Sequence, residues 1–253
     1  MIAGIKGLVN MHDTDCRHYQ VARADPSLPL ETHMPNFLNT QGPEVSITTL
    51  QNGITVVTES PSFPGTVDFN IMVDVGTRDE AKEESGSLLA LKNTYLKTIL
   101  STNETINYGM VQMSGGSSMM TYDQETSLYR ASCLSHDAVD IFSMISDCAL
   151  EPKSVVASSV GMMKNQHTHG LEAVHDSGAE FTSLLARTAY GLNGLGNPLN
   201  GIKGNISMLT ASTLQRFQLR NITPRRLWIG AAGIENHQEF VDLVDRKLSF
   251  IPS

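Results

Sequence analysis

The sequence predicts an α+β fold with one sheet and several helices. Between residues 45 and 134, short runs that alternate apolar and polar side chains are separated by Gly and Asn turns, as is typical of strands. From residue 135 onward, apolar residues mostly recur at spacings of three and four, which is typical of helices. A strand-rich first part followed by a helix-rich part predicts helices layered on a sheet.

The predicted strands are joined by recognisable turn signals. Asn52-Gly53 is a strong hairpin signal between the first two strands. Gly115-Gly116 and Asp123-Gln124 are the predicted turns between three later strands. The apolar run at 226–233 suits a buried strand. The strands are expected at 45–51, 54–58, 66–76, 106–114, 117–122, 127–134 and 226–233.

The predicted helices carry apolar residues along one face. In the first helix, Leu88, Leu91 and Tyr95 recur at helical spacing, and Ser85 is expected to cap the N-terminus. Ser135 is expected to cap the second helix, and Pro152 lies beyond its end. The helices are expected at 83–99, 135–150, 155–174, 179–190, from 210 onward, and at 239–250.

Composition and charge narrow the classes of function. The formal net charge of -8 argues against nucleic acid as the main partner, because phosphate groups would be repelled. The sequence contains no run of 18 apolar residues, so any membrane role is expected to be peripheral. Cys16, Cys133 and Cys148 form no C-x-x-C pair, which suits a reducing compartment.

Residues 1–44 differ in composition from the rest of the chain. They contain Pro26, Pro29, Pro35 and Pro43 and show little periodicity, which predicts an extended N-terminal arm. A terminal arm of this kind frays without support, so we expect it to lie across a neighbouring subunit. The remaining residues, 45–253, are expected to form a single domain.

Ordered motifs in the first part of the chain resemble a known family. Thr49-Leu50-Gln51-Asn52-Gly53 is followed by Gly76-Thr77-Arg78-Asp79-Glu80, and then by a Gly86 that opens the first predicted helix. This series is similar to the start of the pitrilysin-type (M16) peptidases. That family includes the mitochondrial processing peptidase subunits and the core proteins of the cytochrome bc1 complex.

Later motifs extend the resemblance over about residues 45–253. Leu195-Gly196-Asn197-Pro198-Leu199, followed by Gly204-Asn205-Ile206, is similar to the family's L-G-x-P-L and E-N-I motifs. Thr223-Pro224-Arg225-Arg226 resembles the family's T-P-x-R motif. The resemblance implies a mostly antiparallel sheet with helices packed on one face. It also implies that the chain corresponds to the first half of a family-length subunit.

The resemblance locates a zinc motif that this chain does not carry. Active members have H-x-x-E-H on the first helix, because positions i, i+3 and i+4 share one face and bring two metal ligands beside a general base. The matching positions here hold Leu89, Lys92 and Asn93. The family's third ligand, a Glu, would fall near His169, and no Glu lies closer to that position than Glu172. We therefore expect a degenerate metallopeptidase homologue with no catalytic residues, no metal and no other cofactor.

These departures imply a non-catalytic subunit. The expected role is that of a core subunit of the mitochondrial cytochrome bc1 complex (complex III), structural and assembly-related, on the matrix side of the inner membrane. The expected partners are a beta-type processing peptidase or core 1 subunit, a separate second-half polypeptide, and other complex III subunits.

Two alternatives stay open. In the first, the chain is the alpha-type, substrate-handling subunit of an active mitochondrial processing peptidase whose catalytic zinc lies in the beta partner. The acidic run of Asp79, Glu80, Glu83 and Glu84 would then meet a basic presequence peptide, although a solvated helix start explains the same residues. The second alternative, a free-standing metallopeptidase, is nearly excluded by the residues at the ligand positions.

Overall fold

The computed structural model describes residues 43–61, 65–96, 104–155, 177–191 and 193–251, with 157, 158, 160, 161 and 164 between them. Residues 43–253 form one compact unit. The predicted arm at 1–44 and its contact with another subunit fall outside the described residues, apart from the arm's last two positions. The predicted helix at 155–174 falls mostly outside them as well.

Six strands form one mixed sheet. They are β1 (Val45–Thr49), β2 (Thr55–Glu59), β3 (Thr66–Val73), β4 (Ser117–Tyr122), β5 (Ser127–Leu134) and β6 (Leu227–Ala232). Their order across the sheet is β1-β2-β6-β3-β5-β4, so the last strand along the chain lies between the second and the third. β6 runs parallel to β2 and the other pairings are antiparallel, which confirms the mostly antiparallel sheet.

The helices come between and after these strands along the chain. Those among the described residues are α1 (Ser87–Thr94), α2 (Glu104–Met113), α3 (Ala138–Leu150), α4 (Ser177–Tyr190), α5 (Lys203–Ile206), α6 (Ala211–Asn221) and α7 (His237–Leu248). Short 3-10 turns at Lys82–Glu84 and Ser135–Asp137 precede α1 and α3. None of the described helices is long and apolar enough to cross a membrane.

One face of the sheet is buried under helices. Along β3, Phe69 and Ile71 are buried, whereas the neighbouring Met72 is exposed. Because side chains alternate between the two faces of a strand, this pattern places the core on one face. The ring of Phe69 lies 5.3 Å from that of Phe142 in α3 and 5.8 Å from that of Phe240 in α7. Helices α3 and α7 therefore pack on the buried face, as predicted.

The predicted strand at 106–114 is wrong, because the chain forms helix α2 there. Ile106 and Met110 are four positions apart, a spacing that suits one face of a helix as well as an alternating strand. Val111 is buried, whereas Met113 is exposed. The helix packs against α3 and β4, and this one-sided contact favours the helical period over the period of two.

The predicted turns and caps have mixed outcomes. Gly53 adopts a φ of +98° in the turn between β1 and β2, which confirms the hairpin. Thr210, where the fourth helix from residue 135 onward is predicted to begin, caps α6 by accepting the backbone N–H of Thr213 at 3.2 Å. Ser135 does not cap α3; it lies in the preceding 3-10 turn, and no side chain caps that helix.

We expect the substitution Phe69→Ala to destabilise the fold by about 3–5 kcal/mol, because it removes a fully buried ring from the contact between β3 and two helices. Urea unfolding followed by circular dichroism measures this change. Phe250→Ala, at a side chain that is 48% exposed, is the matched control and should cost less than about 1 kcal/mol. Equal losses in the two variants would contradict the assignment of the core to this face.

Candidate functional site

The positions that match the zinc motif lie together on α1. Leu89 is half-buried and packs against the core, Lys92 is exposed, and Asn93 is half-buried. Their spacing places all three on one side of the helix. His169, the fourth predicted position, lies outside the described residues, as does Glu172. Within the described part of the chain, no group of three or more His, Cys, Asp and Glu side chains is placed to hold a metal ion.

Helix α1 begins later than predicted and is entered through a left-handed glycine. The expected helix at 83–99 is interrupted after the 3-10 turn Lys82–Glu84, and α1 starts at Ser87. Gly86 adopts a φ of +100°, a conformation that favours glycine. Ser85 does not cap the helix, because its hydroxyl instead accepts the backbone N–H of Ile202.

A distant loop packs directly onto this helix entrance. A Cβ atom added to Gly86 would lie 2.7 Å from Cγ1 of Ile206, and one added to Gly201 would lie 2.5 Å from the Cα of Gly86. Neither position has room for a side chain. The segment 194–206 therefore sits against the start of α1 with backbone nearly touching backbone.

The side chain of Asn197 joins segment 194–206 to the residues that precede α1 by hydrogen bonds. Its side-chain amide donates to the carbonyl oxygen of Thr77 at 2.8 Å and to that of Glu80 at 3.2 Å. Asn205 donates in the same way to the carbonyl of Lys82. Two of the later motifs thus have a structural explanation, since their asparagines satisfy backbone carbonyls of the 77–82 segment.

The carboxylate of Glu80 provides the cap that Ser85 does not. Its two oxygens accept the backbone N–H groups of Gly86 and Leu88, each at 2.8 Å. Such contacts satisfy N–H groups that a helix start leaves unpaired, and a negative charge suits the positive end of the helix. Glu80 is only 5% exposed, and no Lys or Arg of the described residues pairs with it.

Burial shifts the protonation of this carboxyl into the physiological range. Removal from water raises the pKa of Glu80 from 4.5 to about 7, although the hydrogen bonds from Leu88 and Gly86 act in the opposite direction. The nearby Glu84 raises the pKa further. The start of α1 is therefore held by a group that is partly protonated near neutral pH.

The acidic run ahead of α1 is not a free acidic surface. Asp79 accepts from the guanidinium of Arg226 at 2.8 Å, and Glu84 accepts from that of Arg220 at 2.7 Å. With Glu80 buried, Glu83 is the exposed member of the run. Most of these carboxylates are engaged within the chain, so neither a solvated helix start nor a binding surface for a basic peptide describes them.

Lys92 lies over an aromatic ring beside the motif positions. Its Nζ is 5.8 Å from the centroid of the Tyr122 ring, at the end of β4. The Tyr122 hydroxyl donates to the carbonyl of Leu199 at 3.0 Å, and burial raises the pKa of this phenol well above its ordinary value. A neutral ring face attracts an ammonium group, so the lysine has a favourable resting place on the side of α1 that carries the motif positions.

Comparison with known proteins identifies relatives along most of the chain. A probable mitochondrial-processing peptidase subunit beta of Schizosaccharomyces pombe is 26% identical over 211 residues, which cover 83% of this chain and 46% of that protein. The mitochondrial-processing peptidase subunit alpha of Solanum tuberosum is 24% identical over 88% of this chain and 43% of that protein. An uncharacterized zinc protease of Mycobacterium tuberculosis is 26% identical over 78% and 45%. No family model matches the chain.

A solved structure shows the same fold. The crystal structure of a protease from Helicobacter pylori superposes with a TM-score of 0.63 at 14% identity, over 83% of this chain and 51% of that one. These relatives are named as mitochondrial-processing peptidase subunits and zinc proteases, which confirms the resemblance of the motifs to the pitrilysin-type (M16) peptidases. It spans about half the length of the curated relatives that it matches.

The family motifs include Glu80 and Asn197, but the sequence alone does not indicate that Glu80 caps α1 or that Asn197 binds distant backbone carbonyls. A capping residue is ordinarily sought immediately before a helix, and Glu80 stands seven positions before Ser87. Asn197 follows its carbonyl partners by more than a hundred residues. The sequence signal for both residues was the co-occurrence of the two motifs in one chain.

The raised pKa of Glu80 predicts a pH-dependent stability. Because its pKa is higher in the folded chain than in the unfolded one, the folded state binds the proton more tightly. The resulting stabilisation is fully present below about pH 4.5 and is lost as pH rises through about 7. We expect Glu80→Gln to abolish this part of the pH dependence, about 2–3 kcal/mol, in urea unfolding between pH 4.5 and 8. Glu83→Gln, at an exposed neighbour, should leave it in place. An unchanged slope in the Glu80 variant would refute the assignment.

We expect Asn197→Ala to loosen the start of α1. The change leaves the carbonyls of Thr77 and Glu80 without their amide donor and should cost about 1–3 kcal/mol. Hydrogen exchange should show faster exchange at the Gly86 and Leu88 amides. Asn200→Ala, at an exposed asparagine of the same loop, is the control and should leave both stability and exchange unchanged.

Proposed function

We propose that this chain is a non-catalytic subunit of an M16-type assembly. The observation that carries the proposal is the surface of α1, where Leu89, Lys92 and Asn93 occupy the motif positions. Leucine has no ligand atom, lysine places a cation where a general base is needed, and asparagine is a poor zinc donor. A catalytic zinc needs three protein ligands and an open position, which this face of α1 does not supply.

The relatives support a mitochondrial location and a heteromeric partner. Several of them are named as alpha or beta subunits of mitochondrial-processing peptidase, from a yeast, plants, a mould and an amoeba. A beta-type subunit is therefore the proposed partner.

Within this class, we place the chain as a structural core subunit of the cytochrome bc1 complex. Without metal ligands on α1, the chain still forms a packed α+β domain. A structural role in an assembly needs only the surface of such a domain. The proposed position is peripheral, on the matrix side of the inner membrane, with other complex III subunits as neighbours.

The alternative is the alpha-type subunit of an active processing peptidase. The observation in its favour is that the named mitochondrial relatives are processing-peptidase subunits of both types. In that assembly the catalytic zinc belongs to the beta partner, and this chain helps to handle the presequence. The engagement of Asp79 and Glu84 with arginines leaves their acidic run little capacity to bind a basic peptide.

Native mass spectrometry of the complex that copurifies with this chain separates the two roles. We expect cytochrome b and cytochrome c1 to copurify with it. A soluble pair with one beta-type subunit, and no cytochromes, would replace the structural role with presequence processing. A solitary chain would overturn both.

A single reversion on α1 tests the non-catalytic assignment. We expect Lys92→Glu to show no chelator-sensitive cleavage of a basic peptide, because Leu89 and Asn93 still supply no imidazole. Zinc content measured by mass spectrometry should stay below one ion per chain. Lys92→Gln serves as the control for removal of the cation. Cleavage by the Glu variant that a chelator abolishes would disprove this assignment of α1.

A further inference from the structure

A groove opens at the end of the sheet away from α1. It lies between the first turn of α3 and one side of α7, below the start of β3, and encloses about 810 Å³. Val67, near the start of β3, lines the groove. Val73 ends the same strand, and the chain continues from there to α1. The two residues are six positions apart along the strand, so this edge of the groove lies roughly 20 Å from the motif end of the sheet.

The floor of the groove is apolar. Phe69 and Phe240, two rings of the buried aromatic cluster, form its base. Val139 and Leu243 stand on opposite walls, on α3 and α7. Val139 is 59% exposed, although it lies on the first turn of a helix whose other apolar residues are mostly buried. The groove therefore offers a hydrophobic side chain a place beside the core.

The rim of the groove carries an excess of negative charge. Glu235, Glu239 and Asp242 line it, against one guanidinium from Arg246. The carboxylates of Glu235 and Glu239 make no hydrogen bond or ion pair with any described residue. Arg246 donates its Nε to the backbone carbonyl of Asp242, so it does not neutralise the two glutamates.

We propose that this groove docks a basic peptide segment of a partner protein, which inserts one large apolar side chain between α3 and α7. The apolar floor fits an aromatic or branched side chain, and the unpaired carboxylates on the rim fit arginine or lysine on either side of it. The inference goes beyond the proposed function, since it needs neither zinc chemistry nor the motif face of α1.

A fluorescein-labelled peptide with one central Phe flanked by two Arg on each side tests the proposal. We expect saturable binding to the full chain by fluorescence anisotropy at roughly 0.1 M salt, where screening spares short-range contacts. Peptides with Ala in place of the Phe, or with Glu in place of each Arg, should bind at least about tenfold more weakly. Equal binding of the acidic peptide would overturn the proposal.

Matched variants locate the binding site. Glu239→Gln should weaken binding about two- to fivefold, whereas Asp245→Asn, which removes one charge from the same helix outside the groove, should not. Val139→Lys should abolish binding, whereas Leu219→Lys, at an exposed position on α6, should leave it intact. Circular dichroism confirms that each variant is folded. Binding that none of the groove variants alters would place the peptide elsewhere and refute the proposal.

Self-association is the competing use of this surface. Sedimentation velocity of the chain alone distinguishes it, because a second copy seated in the groove would give a dimer that Val139→Lys dissociates. That result would overturn the peptide proposal. A monomer that binds the basic peptide supports it, and neither outcome bears on the assembly expected from native mass spectrometry.

Discussion

The constraint on which the structure most depends is the insertion of β6 between β2 and β3. β6 begins at Leu227, more than 150 residues after β3 ends, yet it pairs with both of those strands in the middle of the sheet. No hairpin can deliver such a strand, so the intervening chain must travel around the sheet and return. The position of β6 in the sheet therefore constrains where the helices that precede it along the chain can lie.

This insertion brings the two family motif regions together. The backbone N–H of Asp74, just after β3, donates to the carbonyl of Arg226, just before β6. The guanidinium of Arg226 then reaches Asp79 on the approach to α1. Further contacts from Asn197 and Gly201 extend the same junction to the start of the helix. The motif face of α1 is thus held by residues that the chain supplies from more than a hundred positions away.

The two ends of the sheet have different chemical characters. At the motif end, arginines pair with Asp79 and Glu84, and the carboxylate of Glu80 is buried against backbone amides, which leaves Glu83 as the exposed member of the run. At the groove end, glutamates face solvent around an apolar floor and have no partner within the described chain. Charge at the first end stabilises the fold, whereas charge at the second is free to meet a ligand. The two unpaired glutamates of the groove therefore lie at the end of the sheet away from α1.

The sequence alone determined those elements whose signals lie within a few neighbouring residues. The Asn52-Gly53 hairpin, the alternating strand around Phe69 and the start of α6 at Thr210 all follow from neighbouring residues. The same local reasoning misassigned α2, because its few apolar residues fit both periods. Only the tertiary structure decided that Glu80 rather than Ser85 caps α1, and that the acidic run is internally paired. Both depend on burial and on partners far along the chain, which no window of sequence contains.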